Sequence, residues 1–376
     1  MYSKICRFLL IISLLLLSRN LNSFAAVSEE VPEKNTHENQ HESATHEEET
    51  GGFNPGDFMF DHIKDAHDWH ILSIGKKHIS IPLPIILYSK NSGFHIFMSG
   101  RFEHGHASYK GFRLETSGEN KGKILEEDGS KPLDLSITKN VASMLCSIVI
   151  ILLIFLSVGK RYRENPISAP RGLQSFVEPI VTFLRDDVIK PSIGPKYERY
   201  MPFLLTLFFF IWINNMLGLI PIPPGGANLT GNIAVTMVLA LFTFVITAFS
   251  GNKSYWKHIV NTPGVPAWLK LPPLPIIPLV EVIGMFTKPF VLMVRLFANI
   301  TAGHIIAMGF ISLIYIFGEM SPGLGYGVSI VSILFNVFMT FLELLVAFIQ
   351  AFVFTFLSSI YFGLAVEEHH EAHEHA

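Results

Sequence analysis

Charge is what this chain has least of. Only 16% of its 376 residues are Asp, Glu, Lys or Arg, against about 25% in an ordinary soluble domain. An ordinary soluble fold is thereby excluded. The 28 basic and 31 acidic residues leave a net charge of -3, with no basic surplus to neutralise phosphates, so nucleic acid is excluded as a partner. Cysteine is scarce too. Cys6 and Cys146 cannot build a disulfide framework, and processing that removes Cys6 leaves no intrachain bridge, so cysteine usage is silent on redox compartment. Also missing are a phosphate-binding P-loop, a nucleophile motif and a metal signature such as H-E-x-x-H. No cofactor and no metal are expected, and the chain is not expected to catalyse a reaction on its own.

What is present in excess is apolar sequence, 49% of all residues, and it is concentrated. Residues 1–26 combine Lys4 and Arg7, a short apolar core from Phe8 to Leu17, and Ser23, Ala25 and Ala26 at the end. This is the pattern of a secretory signal peptide cleaved near Ala25 or Ala26; the competing reading is a retained anchor. Residues 27–50, rich in Glu and His, are expected to be disordered, with His37, His41 and His46 solvated rather than binding metal. Residues 51–138 carry strand-like pieces, HISIPLPIILY (78–88) and FHIFMSG (94–100), punctuated by Gly and Asn. They predict a small β-containing extracytoplasmic region. Its histidines His62, His67 and His70 fit a helix face only loosely, which favours a structural role over zinc.

Residues 139–366 predict a membrane domain and 367–376 a cytoplasmic tail. Apolar runs cover 141–159, 201–222 and 232–250, then about 274–317 and 326–366. The first three have the length of one helical span, about 20 residues. At about 1.5 Å per residue the last two reach roughly 65 Å, so each is a broken pair of helices or one long tilted helix; hydropathy does not choose. Charge placement does. Lys160, Arg161, Arg163 and Arg171 follow the first run, and Lys253, Lys257 and Lys270 follow the third. The positive-inside rule puts those loops inside. The uncharged PPGGANLTG (223–231) and SPGLGYG (321–327) fall outside. Each long run then crosses once, which gives five spans, the N-terminus out and the C-terminus in. Residues 164–200 mix charge with apolar residues and predict an amphipathic helix at the cytoplasmic face.

The fourth run holds Glu281, Lys288, Arg295 and His304, and the fifth holds Glu343. A charge at mid-bilayer costs at least about 2.5–3.5 kcal/mol, so these groups must face protein or water. At about 100° per residue, Arg295 and Asn299 share a face, and Glu281 returns to within about 40° of it some 21 Å away. Glu343 and Gln350, two turns apart, also share a face. His304 falls about 180° from Arg295, so sharing its stripe would need helix curvature, tilt or a different neighbour, and the pattern fits better if different faces serve different cavities. Structural ion pairs are one explanation. Five ionisable groups on adjacent spans favour a proton or ion path. A secondary transporter using the same charges, or a His-rich membrane-anchored sensor, are the competing classes; no duplicated half of the transporter kind is visible.

These residues carry a resemblance. RLFANITAGH (295–304) resembles the signature of subunit a of F-type ATP synthases. So do PFLLTLFFFIWINNMLGLIP (202–221), LTGNIAVTMVLAL (229–241), EVIGMFTKPFVLMVRL (281–296) and ELLVAFIQAFVFTFLSSIYF (343–362), in that order. The resemblance spans residues 139–366. It implies an all-α polytopic membrane protein of about five transmembrane helices, the last two long, tilted and wrapped along a rotor ring. It implies a non-catalytic stator subunit of the proton channel in a bacterial inner membrane. Its partners would be the c-subunit ring, the b subunits and the remaining synthase subunits, with protons as cargo. By the resemblance Arg295 would face the ionisable carboxylate of each passing c subunit, Asn299 would neighbour the path, and Gln350 would lie near the arginine. Glu281 would belong to the cytoplasmic half-channel, and His304 and Glu343 to the outer one. Some members carry that acid on the earlier helix and the imidazole on the later; here the two are exchanged. The signal peptide and residues 51–138 lie outside the resemblance.

Overall fold

A computed structural model describes residues 64–367, with Pro55, Gly56 and Met59, and without 75–76, 117–119, 165–168, 221–222, 224 and 261–275. The expected signal peptide, the 27–50 segment, His62 and nearly all of the tail lie outside the described residues.

The first part is β-containing, as expected. β1 (Asp68–Ile74) pairs with β2 (Lys77–Pro82). β3 (Pro84–Ser89) lies between β4 (Gly93–Met98) and the short β7 (Leu133–Asp134). β5 (Phe112–Leu114) pairs with β6 (Ile124–Glu126). All pairs are antiparallel. Strand alternation sends Ile85, Leu87 and Phe97 into a core with Phe102, Phe112 and Ile124. Two details differ from the expected strands. The 78–88 run breaks at Leu83, because Pro82 and Pro84 on either side lack amide donors; the Leu83 amide bonds instead to the Ser99 hydroxyl, 2.9 Å away. The 94–100 run ends at Met98, where Ser99–Gly105 tightens into a 3-10 helix.

Among the described residues eight α-helices follow: α1 (Lys139–Glu164), α2 (Leu173–Phe183), α3 (Lys190–Ile193), α4 (Tyr197–Leu219), α5 (Ile233–Ser250), α6 (Lys253–Val260), α7 (Ile276–Met320) and α8 (Pro322–Val366). Five helical stretches among the described residues are long and apolar enough to cross a membrane. α7 and α8 are unbroken 45-residue helices. The single-helix alternative for the two long runs is therefore the one realised. α4 is the central helix, with Phe203 to Ile211 buried on every side, which explains a run that is apolar all round. α7 and α8 lie antiparallel, α8 against α4 and α7 against α5. Hydroxyls within the helices bond back to their own turn, Thr206 to Pro202 at 2.7 Å and Ser358 to Phe354 at 2.7 Å. That satisfies polar groups where a bilayer offers no water. The expected cytoplasmic-face helix is α2, which continues through a π turn (Leu184–Ile189) and α3 into α4.

The N-terminal region is fastened to the first turn of α1. Asp65 Oδ1 accepts from the Asn140 amide at 3.0 Å, the Lys139 amide donates to the Ala66 carbonyl at 2.8 Å, and His67 Nε2 meets Asp134 Oδ2 at 2.9 Å. His67 and Asp134 are 6% and 15% exposed. Burial opposes the imidazolium, but Asp134, Asp65 and Asp68 outweigh it and hold His67 above its ordinary value of 6.5. Asp134 is held below the usual carboxylate value, its burial outweighed by His67 and Ser136. Burial pushes Asp65 up. By linkage, the His67 contribution is complete below pH 6.5 and is lost as pH rises through its raised value. The Asp134 contribution is present above pH 3.8 and is lost as pH falls through its lowered value. Amide exchange at residues 139–140, corrected for intrinsic rate, is therefore expected to speed up as pH rises past the raised His67 value. Asp134→Asn should remove that step, which hydrogen-exchange mass spectrometry across the pH series would show.

Candidate functional site

The antiparallel register of α7 and α8 sets the site. Phe310 stacks on Phe335 with centroids 5.3 Å apart. Glu343 lies directly against Gly303, and Lys288 Nζ sits 5.6 Å from the Tyr361 ring centroid. The same register brings Arg295 level with Gln350. Arg295 and Asn299, one turn apart, both lie on an exposed face of α7, whereas Gln350 is buried. No carboxylate among the described residues pairs with Arg295. The Tyr361 phenol is within its electrostatic reach.

Toward the C-terminal end of α7 lies one polar cluster. His304, on the opposite face from Arg295, places Nε2 3.8 Å from the point where a side chain on Gly218 would begin; the Ala227 carbonyl is 3.4 Å from that point. The imidazole thus lies against the last turn of α4 and the connection that follows it. In that connection Thr230 donates to Asn215 Oδ1 at 2.5 Å, and Asn215 Nδ2 donates to the Ala347 carbonyl on α8 at 3.3 Å. Thr301 Oγ1 donates to the Gly231 carbonyl at 3.5 Å. Glu343 completes the set: its Oε1 is fully buried and has no hydrogen-bond partner among the described residues. An unsatisfied buried carboxyl oxygen is costly.

A second cluster lies nearer the start of α7. Glu281 and Lys288 line a cavity of about 170 Å³ with Ser254, Tyr255 and Glu367, room for several waters. Burial, then the Glu281 charge, raises the Tyr255 phenol. A narrower cavity continues past Lys288 to Tyr361, Thr243 and Thr247. The structure therefore separates the six expected site residues. Glu281 lies in one cluster, His304 and Glu343 in the other, and Arg295, Asn299 and Gln350 between them along the helix pair. Reading the sequence missed Asn215 and Thr230. The Asn-Asn pair inside FFFIWINNMLGL was the available signal, because buried amides in a span need partners. No group of three His, Cys, Asp or Glu among the described residues could hold a metal ion.

Membrane-length helices with ionisable groups stacked along one antiparallel pair define a multi-pass membrane protein. The family described as ATP synthase A chain matches residues 141–363, and a domain of unknown function, DUF8433, matches residues 58–143. The chain is 44% identical over 252 residues to ATP synthase subunit a of Chloroherpeton thalassium, covering 65% of this chain and 71% of that one. It is 41% identical over 271 residues to ATP synthase subunit a 2 of Chlorobaculum tepidum, covering 70% and 72%. It is 42% identical over 252 residues to ATP synthase subunit a of Myxococcus xanthus, covering 65% and 78%. With more than half its length matched by that family, the chain belongs to the ATP synthase A chain family.

The Gly303–Glu343 contact is tight: a Cβ at Gly303 would meet the carboxyl, and the Glu343 side chain would have to shift to admit it. Gly303→Ala is expected to cost about 1–3 kcal/mol by overpacking, seen as a lower thermal unfolding midpoint of the detergent-purified protein. Gly284→Ala, on the same helix with nothing within 4 Å, should stay near wild type.

Proposed function

We propose that this chain is the proton-translocating stator subunit in the membrane sector of an F-type ATP synthase, non-catalytic itself and coupling proton flow to rotation of a c-subunit ring. The observation that carries the reading is Arg295: a guanidinium on an exposed face of α7, with no carboxylate partner among the described residues, midway between two polar clusters. A charge so placed in a bilayer needs a partner from outside the chain. A ring of membrane carboxylates supplies one after another.

The chemistry follows from charge. A carboxylate crossing lipid travels protonated, since its ion is too costly there. Beside a fixed cation its pKa falls and it releases the proton. Arginine suits this task because it stays protonated throughout, and for the same reason it relays no proton and blocks a leak between the two clusters. In this reading His304 and Glu343 form the outer inlet, where imidazole and carboxylic acid can exchange protons near ambient pH. Glu281 and its water-sized cavity form the cytoplasmic exit. Asn299 and Gln350 flank the arginine. The orientation follows from loop charge, with Lys160, Arg161 and Arg163 at the inner end of α1, in a bacterial inner membrane with the N-terminus periplasmic and the C-terminus cytoplasmic. The b subunits and the remaining synthase subunits are its other partners.

ATP-driven proton pumping in inverted membrane vesicles tests this reading. Arg295→Ala, assembled in the membrane, is expected to lose pumping altogether. Arg295→Lys should fail as well, because a buried lysine can surrender its proton. Undiminished pumping in Arg295→Ala would reject the reading.

A further inference from the structure

The connection between α4 and α5 is buried although it joins two helix ends. Gly225, Ala227, Asn228, Leu229 and Thr230 are all shielded, where connections normally run over the surface. What covers it includes the N-terminal domain. Trp69 of β1, 6% exposed, donates its indole N–H to the Gly225 carbonyl at 3.1 Å. Gly225 is folded tightly onto the end of α4: a Cβ there would overlap the Ile220 carbonyl, and the next amide, Gly226, donates to the Leu217 carbonyl at 3.2 Å. Two residues beyond the tryptophan contact, the Ala227 carbonyl borders the same space as His304 Nε2. Beyond that, Thr230 bonds Asn215 and Gly231 bonds Thr301. The connection is therefore a wall of the polar cluster around His304, and Trp69 braces it from behind.

The brace is itself anchored. His67, two residues before Trp69, is pinned to Asp134, and Asp65 is pinned to the first turn of α1. A second contact falls on α7: the Met59 methyl lies 3.9 Å from where a side chain on Gly309 would begin, just over one turn beyond His304. The domain thus touches α1, the α4–α5 connection and α7.

We propose that the β-containing N-terminal region is a working part of the proton inlet, with Trp69 as a positioning residue that holds the α4–α5 connection against His304. The proposal rests on the reading of His304 and Glu343 as the outer inlet. Trp69 touches no proton carrier. It fixes the carbonyls and amides that share the inlet with His304 and keeps the wall from parting. Removing the indole N–H leaves a buried carbonyl unpaired, which shifts the seated connection toward an unseated one by roughly five- to 150-fold.

Passive proton flux is the readout. Inverted vesicles carrying the full complex, then stripped of the catalytic sector, expose the periplasmic face to the lumen. A lumen-positive potassium diffusion potential drives protons out while lumenal pH is varied. Flux is normalised to the amount of this subunit bound to the c ring. Trp69→Phe is expected to lower flux at neutral and alkaline lumenal pH, by at most the factor of that shift, and the deficit should close as the lumen is acidified and proton supply compensates. Wild-type flux at every pH would overturn the proposal. So would a deficit of the same factor at every pH, the mark of lost folded complexes. Should Trp69→Phe not assemble, Trp69→Tyr, which also lacks the indole N–H, carries the same comparison. Failure of both to assemble would overturn the proposal in favour of a purely folding role. Arg295→Ala runs alongside in vesicles that keep the catalytic sector: if it still pumps protons on ATP, the stator reading itself has failed, whatever Trp69 does.

Discussion

A guanidinium that cannot shed its proton, held at the depth of a bilayer, constrains everything around it. Arg295 cannot be neutralised the way a buried lysine or carboxylate can, so it must be offered a counter-charge or water. Among the described residues no carboxylate pairs with Arg295, and its face of α7 carries Asn299 and exposed apolar residues such as Val291 and Val294. The chain places its own carboxylates elsewhere, Glu281 in the cluster nearer the start of α7 and Glu343 in the other, buried against Gly303. Lys288, two turns before, and Asn299, one turn after, share the Arg295 face, but His304 does not. A continuous polar stripe from Glu281 to His304 would let protons pass without engaging a partner. Turning His304 to the opposite face of α7 breaks the stripe at the point where α4 and its connection can receive it.

Helix length follows from the same demand. In the proposed stator role α7 presents one cluster toward each membrane face with a fixed charge between them, and at about 1.5 Å per residue the 14 residues from Glu281 to Arg295 and the nine from Arg295 to His304 span roughly the hydrocarbon thickness. α8 matches it residue for residue in the opposite direction. Their outward apolar residues, among them Phe286, Phe290, Leu334, Phe338 and Phe341, make a broad face that suits lipid or apolar partner helices. α4, buried all round, is the post against which α8 leans.

Much of this was legible before any coordinates. Long apolar runs are governed by one constraint, internal satisfaction of the backbone, so run length and loop charge carry the helices and leave little to tertiary context. Helical spacing likewise separated His304 from Arg295. The β region was less legible, because its strand ends depend on side-chain bonds across the fold: the amide of Leu83 is satisfied by Ser99, and no local pattern announces that. The polar wall was missed for a related reason. Asn215, Thr230 and Gly231 matter through contacts with α8 and α7 that are far apart in sequence. Trp69 and Gly225, separated by 156 residues, are the extreme case.

That separation bears on how the two matched families are joined. Their limits meet at residues 141–143, within the first turns of α1. A domain attached only there would swing about one helix end. Asp65 and the Lys139 amide remove that freedom by bonding across the junction, and His67 ties the same loop to β7. With the base fixed, Trp69 arrives at Gly225 from a rigid platform rather than from a tether, and a single indole hydrogen bond can hold a loop that has no charge of its own to anchor it. The uncharged PPGGANLTG sequence then makes sense twice over. In the proposed orientation it lies at the outer face with no charge to carry across, and it offers carbonyls to Trp69 on one side and to the neighbourhood of His304 on the other.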